Sequence, residues 1–207
     1  MMAISEVLHR GRPLTKSSKA LLLLHGRGGT AQSILQLADK LVDDSVYIAA
    51  PQAFNHIWYP YSLMEEDKLN EPYLSQSVRA IKDLIDKTAQ HIPLENIFIA
   101  GFSQGACLSL EVSSRFATKY GGIAAFTGGL IGYEINEKKY QGDFAKTKVF
   151  ISNGDLDPYI PLIRSKESEE IMKKLNADVT LKVYKGRSHI ITEDELKHVR
   201  NMILGED

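Results

Sequence analysis

The sequence predicts an α/β fold in which a mostly parallel central sheet is covered by helices on both faces. Short, β-rich apolar runs alternate along the chain with amphipathic stretches, and this alternation is typical of parallel α/β proteins. The run at 20–25 is aliphatic throughout most of its length and stops at a glycine-rich loop, as a strand buried on both faces does. With 207 residues, the chain has the length of one domain, and we expect residues 1–207 to form it.

The first half of the chain contains two predicted strands and two predicted helices. Residues 20–25 and 46–50 are predicted strands, the second ended by Pro51. Between them a helix is predicted over 31–41, with Thr30 as its N-cap. Its apolar residues recur at helical spacing, namely Ile34, Leu35, Ala38 and Leu41. After an irregular segment at 52–74, Ser75 is predicted to cap a second helix that runs through Gln90.

The second half continues the alternation of strands and helices. We predict strands at 96–100, 123–126, 148–153 and 179–184, and helices at 106–116, 161–175 and 192–204. The boundaries of the terminal strands are the least determined part of this prediction.

Composition excludes several classes of function. The net charge is −1 with acids and bases mixed along the chain, so we expect no nucleic-acid partner. No apolar run approaches the roughly 20 residues of a membrane span, and residues 1–19 contain no signal-like stretch. The single cysteine, Cys107, cannot form an internal disulfide. We expect a cytoplasmic protein, with a homodimer left open.

Ser103 is the candidate nucleophile. It lies in a Gly-x-Ser-x-Gly pattern at 101–105, between a predicted strand and a predicted helix, which is the context of a nucleophile on a tight turn. Gly101 and Gly105 remove side-chain bulk on either side of that turn. The start of the following helix favours developing negative charge. The alternative is that Ser103 only caps this helix.

A serine nucleophile needs a base, and in this order of elements the histidine comes last in the chain. Two histidines follow Ser103. His198 lies among charged residues in the last predicted helix, and we expect it at the surface. His189 lies in the loop after the strand at 179–184, from which an imidazole can reach over the sheet. His189 is therefore the candidate base, against the alternative of an ordinary loop histidine.

Two aspartates are candidates for the group that orients this base. Asp155 and Asp157 both follow the predicted strand at 148–153. At least one of them is expected to bond the local backbone, as aspartates in turns commonly do. Pro158 restricts Asp157 to an extended backbone and so fixes the direction of its side chain. Spacing alone favours Asp157 only slightly.

The sequence resembles the phospholipase/carboxylesterase family of α/β-hydrolases, which includes acyl-protein thioesterases and small bacterial carboxylesterases. The resemblance rests on four segments, at 24–29, 101–106, 154–161 and around His189. It implies an α/β-hydrolase fold, assigns Asp157 as the acid, and leaves Asp155 a structural role. One departure is that Ile190 and Ile191 follow the histidine, where the family often has small or polar residues. We expect this to alter the shape of the leaving-group side.

Two backbone N–H groups are expected to bind the oxyanion that forms in acyl transfer. One is that of Gln104, the residue after the nucleophile, and the resemblance gives Arg27 as the other. The glycines within 26–29 permit close approach of backbone to substrate. This loop lacks both the lysine–hydroxyl pair and the glycine spacing of nucleotide-binding loops. We expect His25 to bond backbone, and we expect no metal and no cofactor.

The segment at 52–74 is too long for a routine connection, and such segments are usually functional. We expect Trp58, Tyr59 and Tyr61 to wall an acyl or aryl pocket, although they could serve only to pack the segment. No large insertion resembles a lipase lid, so long-chain triglycerides are poor candidates as substrates.

The expected function is that of a serine carboxylesterase. It would hydrolyse small to medium carboxylic esters, with thioesters as a further class, through an acyl-enzyme on Ser103. Three alternatives remain: an acyl-protein thioesterase or lysophospholipase, a dienelactone-type hydrolase, and a hydrolase-fold protein that binds without turnover.

Overall fold

A computed structural model describes residues 3–205. Within them one sheet contains seven strands: β1 (Ile4–Gly11), β2 (Ala20–Leu24), β3 (Tyr47–Ala53), β4 (Ile97–Phe102), β5 (Gly122–Phe126), β6 (Lys148–Gly154) and β7 (Asp178–Tyr184). Their order across the sheet is β1-β3-β2-β4-β5-β6-β7. All neighbours are parallel except β1 and β3, which are antiparallel. The predicted mostly parallel sheet is confirmed.

Helices cover both faces of this sheet. They are α1 (Ala31–Leu41), α2 (Asp67–Asn70), α3 (Tyr73–Ala89), α4 (Gln104–Arg115), α5 (Leu162–Lys174) and α6 (Glu193–Leu204). Alternate residues of β2 serve the two faces, because side chains of a strand alternate. Leu21 and Leu23 pack in one core cluster with apolar residues of α1 and α6. Leu22 and Leu24 pack in the other, with residues of α3, α4 and α5.

The predicted first helix is confirmed to the residue. The Thr30 side chain accepts the N–H of Ser33 at 3.0 Å, and the Ser33 hydroxyl accepts the N–H of Thr30 at 3.0 Å. This reciprocal pair satisfies two backbone donors at the start of α1. None of the helices within residues 3–205 has the length and apolar character that a bilayer crossing requires.

The N-terminal half departs from the sequence prediction at two strands. Strand β1 was not predicted, because its residues are largely exposed and form no apolar run. Strand β3 continues through Pro51 to Ala53 instead of ending at the proline. Strand β2 pairs only with Tyr47–Ala49, so the later part of β3 has β1 alone beside it. A proline is tolerated in a strand with one unpaired side.

The second predicted helix also begins elsewhere. Helix α3 starts at Tyr73, so Ser75 lies inside the helix and not at its cap. The Ser75 hydroxyl and N–H both donate to the carboxylate of Glu71, at 2.7 and 3.2 Å. An acidic side chain from outside the helix thus meets an N–H of its first turn, which the sequence pattern did not indicate. The segment before α3 contains α2 and a 3₁₀ turn at Phe54–His56.

Helix α4 lies against the centre of the sheet, and two glycines permit its close approach. A Cβ at Gly105 would lie 2.1 Å from the carbonyl oxygen of Leu24, and a Cβ at Gly101 would lie 2.4 Å from the Gly105 carbonyl. Every residue of α4 from Gln104 to Ser114 is buried. The glycine pair therefore sets how α4 meets the ends of β2 and β4.

Gly105→Ala is expected to destabilise the protein by about 3 kcal/mol, because its Cβ would overlap backbone that cannot move freely. Gly186→Ala is the control, since a Cβ at this position would meet nothing within 4 Å although φ is +72°. It should cost about 1 kcal/mol for the left-handed backbone alone. Denaturant unfolding measures both free energies. Equal losses in the two variants would contradict the close approach at Gly105.

Candidate active site

Ser103 lies at the turn between β4 and α4. Its φ is 55° and its ψ is −119°, a backbone conformation that costs a non-glycine residue free energy. The turn is fixed from two sides. The Ser103 N–H donates to the carbonyl of Phe126 on β5, and its carbonyl accepts the N–H of Cys107 in α4, both at 3.0 Å. The Ser103 side chain makes no capping hydrogen bond to α4, which removes the helix-cap alternative.

The hydroxyl of Ser103 is the first member of a hydrogen-bonded chain. Nε2 of His189 lies 2.8 Å from Ser103 Oγ, and Nδ1 lies 2.8 Å from Oδ2 of Asp157. An ionised carboxylate can only accept hydrogen bonds, so Nδ1 carries the proton and Nε2 is free to accept one from the hydroxyl. The structure therefore brings together Ser103, His189 and Asp157. His198, the other histidine after Ser103, is exposed on α6.

Asp157 follows β6, and its side chain is fully buried. Its Oδ1 accepts the N–H groups of Tyr159 at 2.9 Å and Ile160 at 3.0 Å. These bonds leave Oδ2 directed at His189. Asp155 lies elsewhere: its Oδ1 accepts the N–H of Gly186 at 2.6 Å and so ties the loop after β6 to the loop that holds the histidine.

Aromatic rings hold the imidazole of His189 on two sides. The ring of Phe102, the residue before Ser103, lies 5.0 Å from it between centroids. The ring of Tyr159 meets it edge-on at 4.9 Å. These contacts restrict the imidazole to the orientation in which it reaches both the hydroxyl and the carboxylate.

A buried ion pair fixes the loop at 185–191, the histidine loop, which holds His189. This pair was not predicted from the sequence. The guanidinium of Arg187 lies 2.5 Å from the carboxylate of Glu195, with exposures of 5% and 0% for the two side chains. Glu195 also accepts the N–H and the hydroxyl of Thr192, at 2.6 and 2.7 Å, and the hydroxyl of Ser152. The Thr-x-x-Glu pattern at the start of α6 was the available signal for Glu195.

The loop after β2 approaches the serine closely. A Cβ at Gly26 would lie 3.3 Å from that of Ser103. The loop is held by two backbone bonds, from Gly28 N–H to the carbonyl of His56 at 2.8 Å and from Gly29 N–H to that of Gly26 at 3.0 Å. Arg27, the predicted oxyanion residue of this loop, lines one cavity together with Ser103 and Gln104.

The side chains of Arg27 and Gln104 have a second task that the sequence did not indicate. The Arg27 guanidinium donates to the carbonyls of Tyr59, Pro60 and Tyr61, at 3.0, 2.8 and 2.6 Å. The Gln104 amide accepts the N–H of Trp58 and donates to the carbonyl of Tyr59, both at 2.8 Å. Both residues whose N–H groups were predicted to bind an oxyanion therefore hold residues 58–61 in place.

The cavity above Ser103 has a volume of about 580 Å³, and Tyr59, Tyr61 and Leu63 form one wall of it. Trp58 does not line it, and the prediction that it walls the pocket is corrected. Its side chain has no exposed surface. Its indole N–H donates to the carbonyl of His25 at 2.9 Å, and its ring packs against the imidazole of His25. Trp58 instead supports the wall from behind.

His25 bonds backbone, as predicted. Its Nε2 accepts the N–H of Ala53 at 3.0 Å, so Nδ1 donates to the carbonyl of Gly26 at 2.7 Å. Burial lowers the pKa of His25 below the usual histidine value, which keeps this buried ring neutral at neutral pH. Within residues 3–205, no three His, Cys, Asp or Glu side chains are grouped so as to hold a metal ion.

Comparisons with known proteins agree with this fold. A family model described as Phospholipase/Carboxylesterase matches residues 9–204. The crystal structure of a phospholipase/carboxylesterase from Dyadobacter fermentans is 48% identical, with a TM-score of 0.94 over 99% of each chain. The Bacillus cereus carboxylesterase shares the fold at 21% identity, with a TM-score of 0.77 over 97% of this chain and 93% of its own. The predicted α/β-hydrolase fold is confirmed.

Two fungal proteins are also similar in sequence. Acyl-protein thioesterase 1 of Candida albicans is 29% identical over 91% of this chain and 94% of its own length. Acyl-protein thioesterase 1 of Saccharomyces cerevisiae is 35% identical over 63% of this chain, and the match spans 57% of that protein.

Removal of one partner of the Arg187–Glu195 pair is expected to cost about 3–5 kcal/mol, because the other charge remains buried and uncompensated. Arg187→Met and Glu195→Met should each show this loss, and the double variant should lose much less than the sum. Denaturant unfolding of the four proteins gives the coupling energy.

The exposed pair Lys82–Asp86 on α3 is the control for this cycle, and its coupling should be about 0.5 kcal/mol. A coupling at Arg187–Glu195 no larger than that of the control would show that the buried pair does not anchor the loop.

Proposed function

The chain belongs to the phospholipase/carboxylesterase family, and we propose that it hydrolyses small to medium carboxylic esters through an acyl-enzyme on Ser103. It is a serine hydrolase of the carboxylesterase type, as its family and relatives are. The observation that carries the proposal is the unbroken chain of hydrogen bonds from Ser103 through His189 to Asp157, with both distances at 2.8 Å.

In the first half of the reaction, His189 acts as the general base. Its Nε2 takes the hydroxyl proton while Ser103 Oγ attacks the ester carbonyl. Asp157 stabilises the imidazolium that forms, and its bonds to Tyr159 and Ile160 hold it in place for this. His189 then returns the proton to the leaving oxygen, and the acyl group stays on Ser103. Water hydrolyses the acyl-enzyme with the same groups in the same roles.

The tetrahedral intermediate carries a negative charge on the former carbonyl oxygen. We assign its stabilisation to the backbone N–H groups of Arg27 and Gln104. Gln104 is the first residue of α4, so its N–H has no partner within the helix and lies at the positive end of the helix dipole. Fixed donors of this kind are usually the largest single contribution to catalysis of acyl transfer.

The cavity supports an acyl group of modest size. Its volume of about 580 Å³ and its wall of Tyr59, Tyr61 and Leu63 suit a short to medium apolar chain. Tyr59 and Tyr61 are therefore proposed to contact the acyl group, with Trp58 behind them. Thioesters are the second candidate class, because curated relatives are named acyl-protein thioesterase 1 and the same three side chains can act on either bond.

Three further features are part of the proposal. We infer that residues 1–207 act as one domain, because all strands among residues 3–205 join a single sheet. We propose a cytoplasmic location, which the unpaired, buried Cys107 supports. A homodimer remains a prediction, which sedimentation of the purified protein would decide.

Asp157→Asn is expected to lower kcat for p-nitrophenyl butyrate by about 10⁴-fold, because an amide in that position disturbs the histidine tautomer. Asp155→Asn is the matched control, since an amide oxygen can still accept the N–H of Gly186 and this residue does not reach His189. It should retain most of the activity. Steady-state kinetics measures both variants, after thermal unfolding has shown that they fold. The opposite ranking would reassign the acid to Asp155.

A further inference from the structure

We propose that a second groove, next to the catalytic cavity, binds the alcohol or thiol arm of the substrate and favours arms with an extended apolar chain. This inference rests on the proposed function and names the second half of its substrate. The groove has a volume of about 480 Å³. Its apolar side chains come from α1, from the end of β4, from the histidine loop and from α6, namely Ile34, Leu37, Phe102, Ile191 and Leu196.

The groove adjoins the catalytic cavity, which is the space that Ser103 and His189 line. Gly26, Arg27 and Phe102 line both spaces. A Cβ at Gly26 would lie only 3.3 Å from that of Ser103, so one of the residues that the two spaces share packs against the serine itself. An ester has an acyl arm and an alcohol arm, which diverge from its carbonyl group. The wall of Tyr59, Tyr61 and Leu63 is proposed to contact the acyl arm. The groove is the adjoining space for the other.

Proton transfer decides which arm enters the groove. As the bond from Ser103 Oγ to the acyl carbon forms and the tetrahedral intermediate collapses, the bond to the leaving oxygen or sulfur breaks with its electron pair. That atom takes the proton from Nε2 of His189, so it must depart beside the imidazole. Phe102 packs on this ring at 5.0 Å between centroids, and Ile191 follows His189 by two residues. Both are walls of the groove, whereas the imidazole itself lines the catalytic cavity, so the departing arm extends from that cavity past Phe102 into the groove.

The apolar side chains of the groove suit an uncharged aliphatic arm. Leu37 is half-buried on α1, and Ile191 is half-buried in the loop after His189. Lys40 and Glu193 also line the groove, but they form an ion pair with each other. Their charges offset one another, so this pair gives no preference for an anionic or a cationic arm.

Methyl butyrate and hexyl butyrate test the proposal, because they form the same butyryl-enzyme and their alcohols differ little in basicity. Any difference in kcat/KM then reports how the alcohol arm binds during acylation. We expect hexyl butyrate to be favoured by about tenfold, since only part of each additional methylene is buried in an open groove. Leu37→Gln, which keeps the size of the side chain but makes it polar, should lower this preference by about fivefold.

Leu69→Gln is the matched control, because Leu69 is an exposed leucine of α2 that lines neither space. It should keep the wild-type ratio. Ile191→Ala is a second groove variant, and it should also lower the ratio. In Leu37→Gln, the ratio of kcat/KM for methyl hexanoate to kcat/KM for methyl butyrate should keep its wild-type value, because that ratio reports how the acyl arm binds.

The proposal is overturned if the wild type shows no preference for hexyl butyrate, or if both groove variants keep the wild-type ratio. It is also overturned if Leu37→Gln changes the hexanoate ratio instead, since the groove would then hold the acyl arm. Failure of the proposed function would look different. In that case the wild type would hydrolyse none of the three esters, or Ser103→Ala would hydrolyse them equally well.

Discussion

The backbone at Ser103 is the constraint on which the rest of the site depends. A non-glycine residue at a φ of 55° costs about 1–3 kcal/mol, and it persists only where the surrounding structure holds it. Here Gly101 lacks the side chain that would collide with the start of α4, Gly105 lacks the one that would collide with the end of β2, and backbone bonds to Phe126 and Cys107 fix the turn. The same turn directs the hydroxyl at His189 and places the first N–H of α4 beside it. The strained backbone and the position of the Ser103 hydroxyl thus have one cause.

The loops that meet at this turn are also tied to one another. Asp155 joins the loop after β6 to the loop after β7, and the absence of a side chain at Gly154 lets these loops approach, since its Cβ would lie 2.0 Å from the carbonyl oxygen of Arg187. Arg187 in turn pairs with Glu195 at the start of α6. On the opposite side, Arg27 links the loop after β2 to residues 59–61. A catalytic group held by fixed neighbours reorganises little during reaction, which is the physical basis of electrostatic catalysis.

Much of this arrangement could be predicted from the sequence because local chemistry determined it. The glycines around Ser103, the order of serine, aspartate and histidine, and the cap at Thr30 are all short-range signals. What could not be predicted depends on distant contacts. Strand β1 is stabilised by pairing with β3 and has no apolar pattern of its own. The sequence predicts Trp58 as a pocket wall, but aromatic residues occur both in pocket walls and in cores. Its contact with His25 places it in the core. The Arg187–Glu195 pair joins a loop to the helix that follows it, and the path of that loop, which no regular spacing indicates, brings the two charges together.

The most direct test of this account is the reaction of the protein with a fluorophosphonate probe, followed by peptide mass spectrometry. This chemistry requires a serine that its neighbours have made nucleophilic. The account predicts one adduct, on Ser103, formed about 10³-fold more slowly in His189→Gln, because the base no longer takes the hydroxyl proton. An adduct on another serine, or labelling of Ser103 at an unchanged rate without His189, would contradict it.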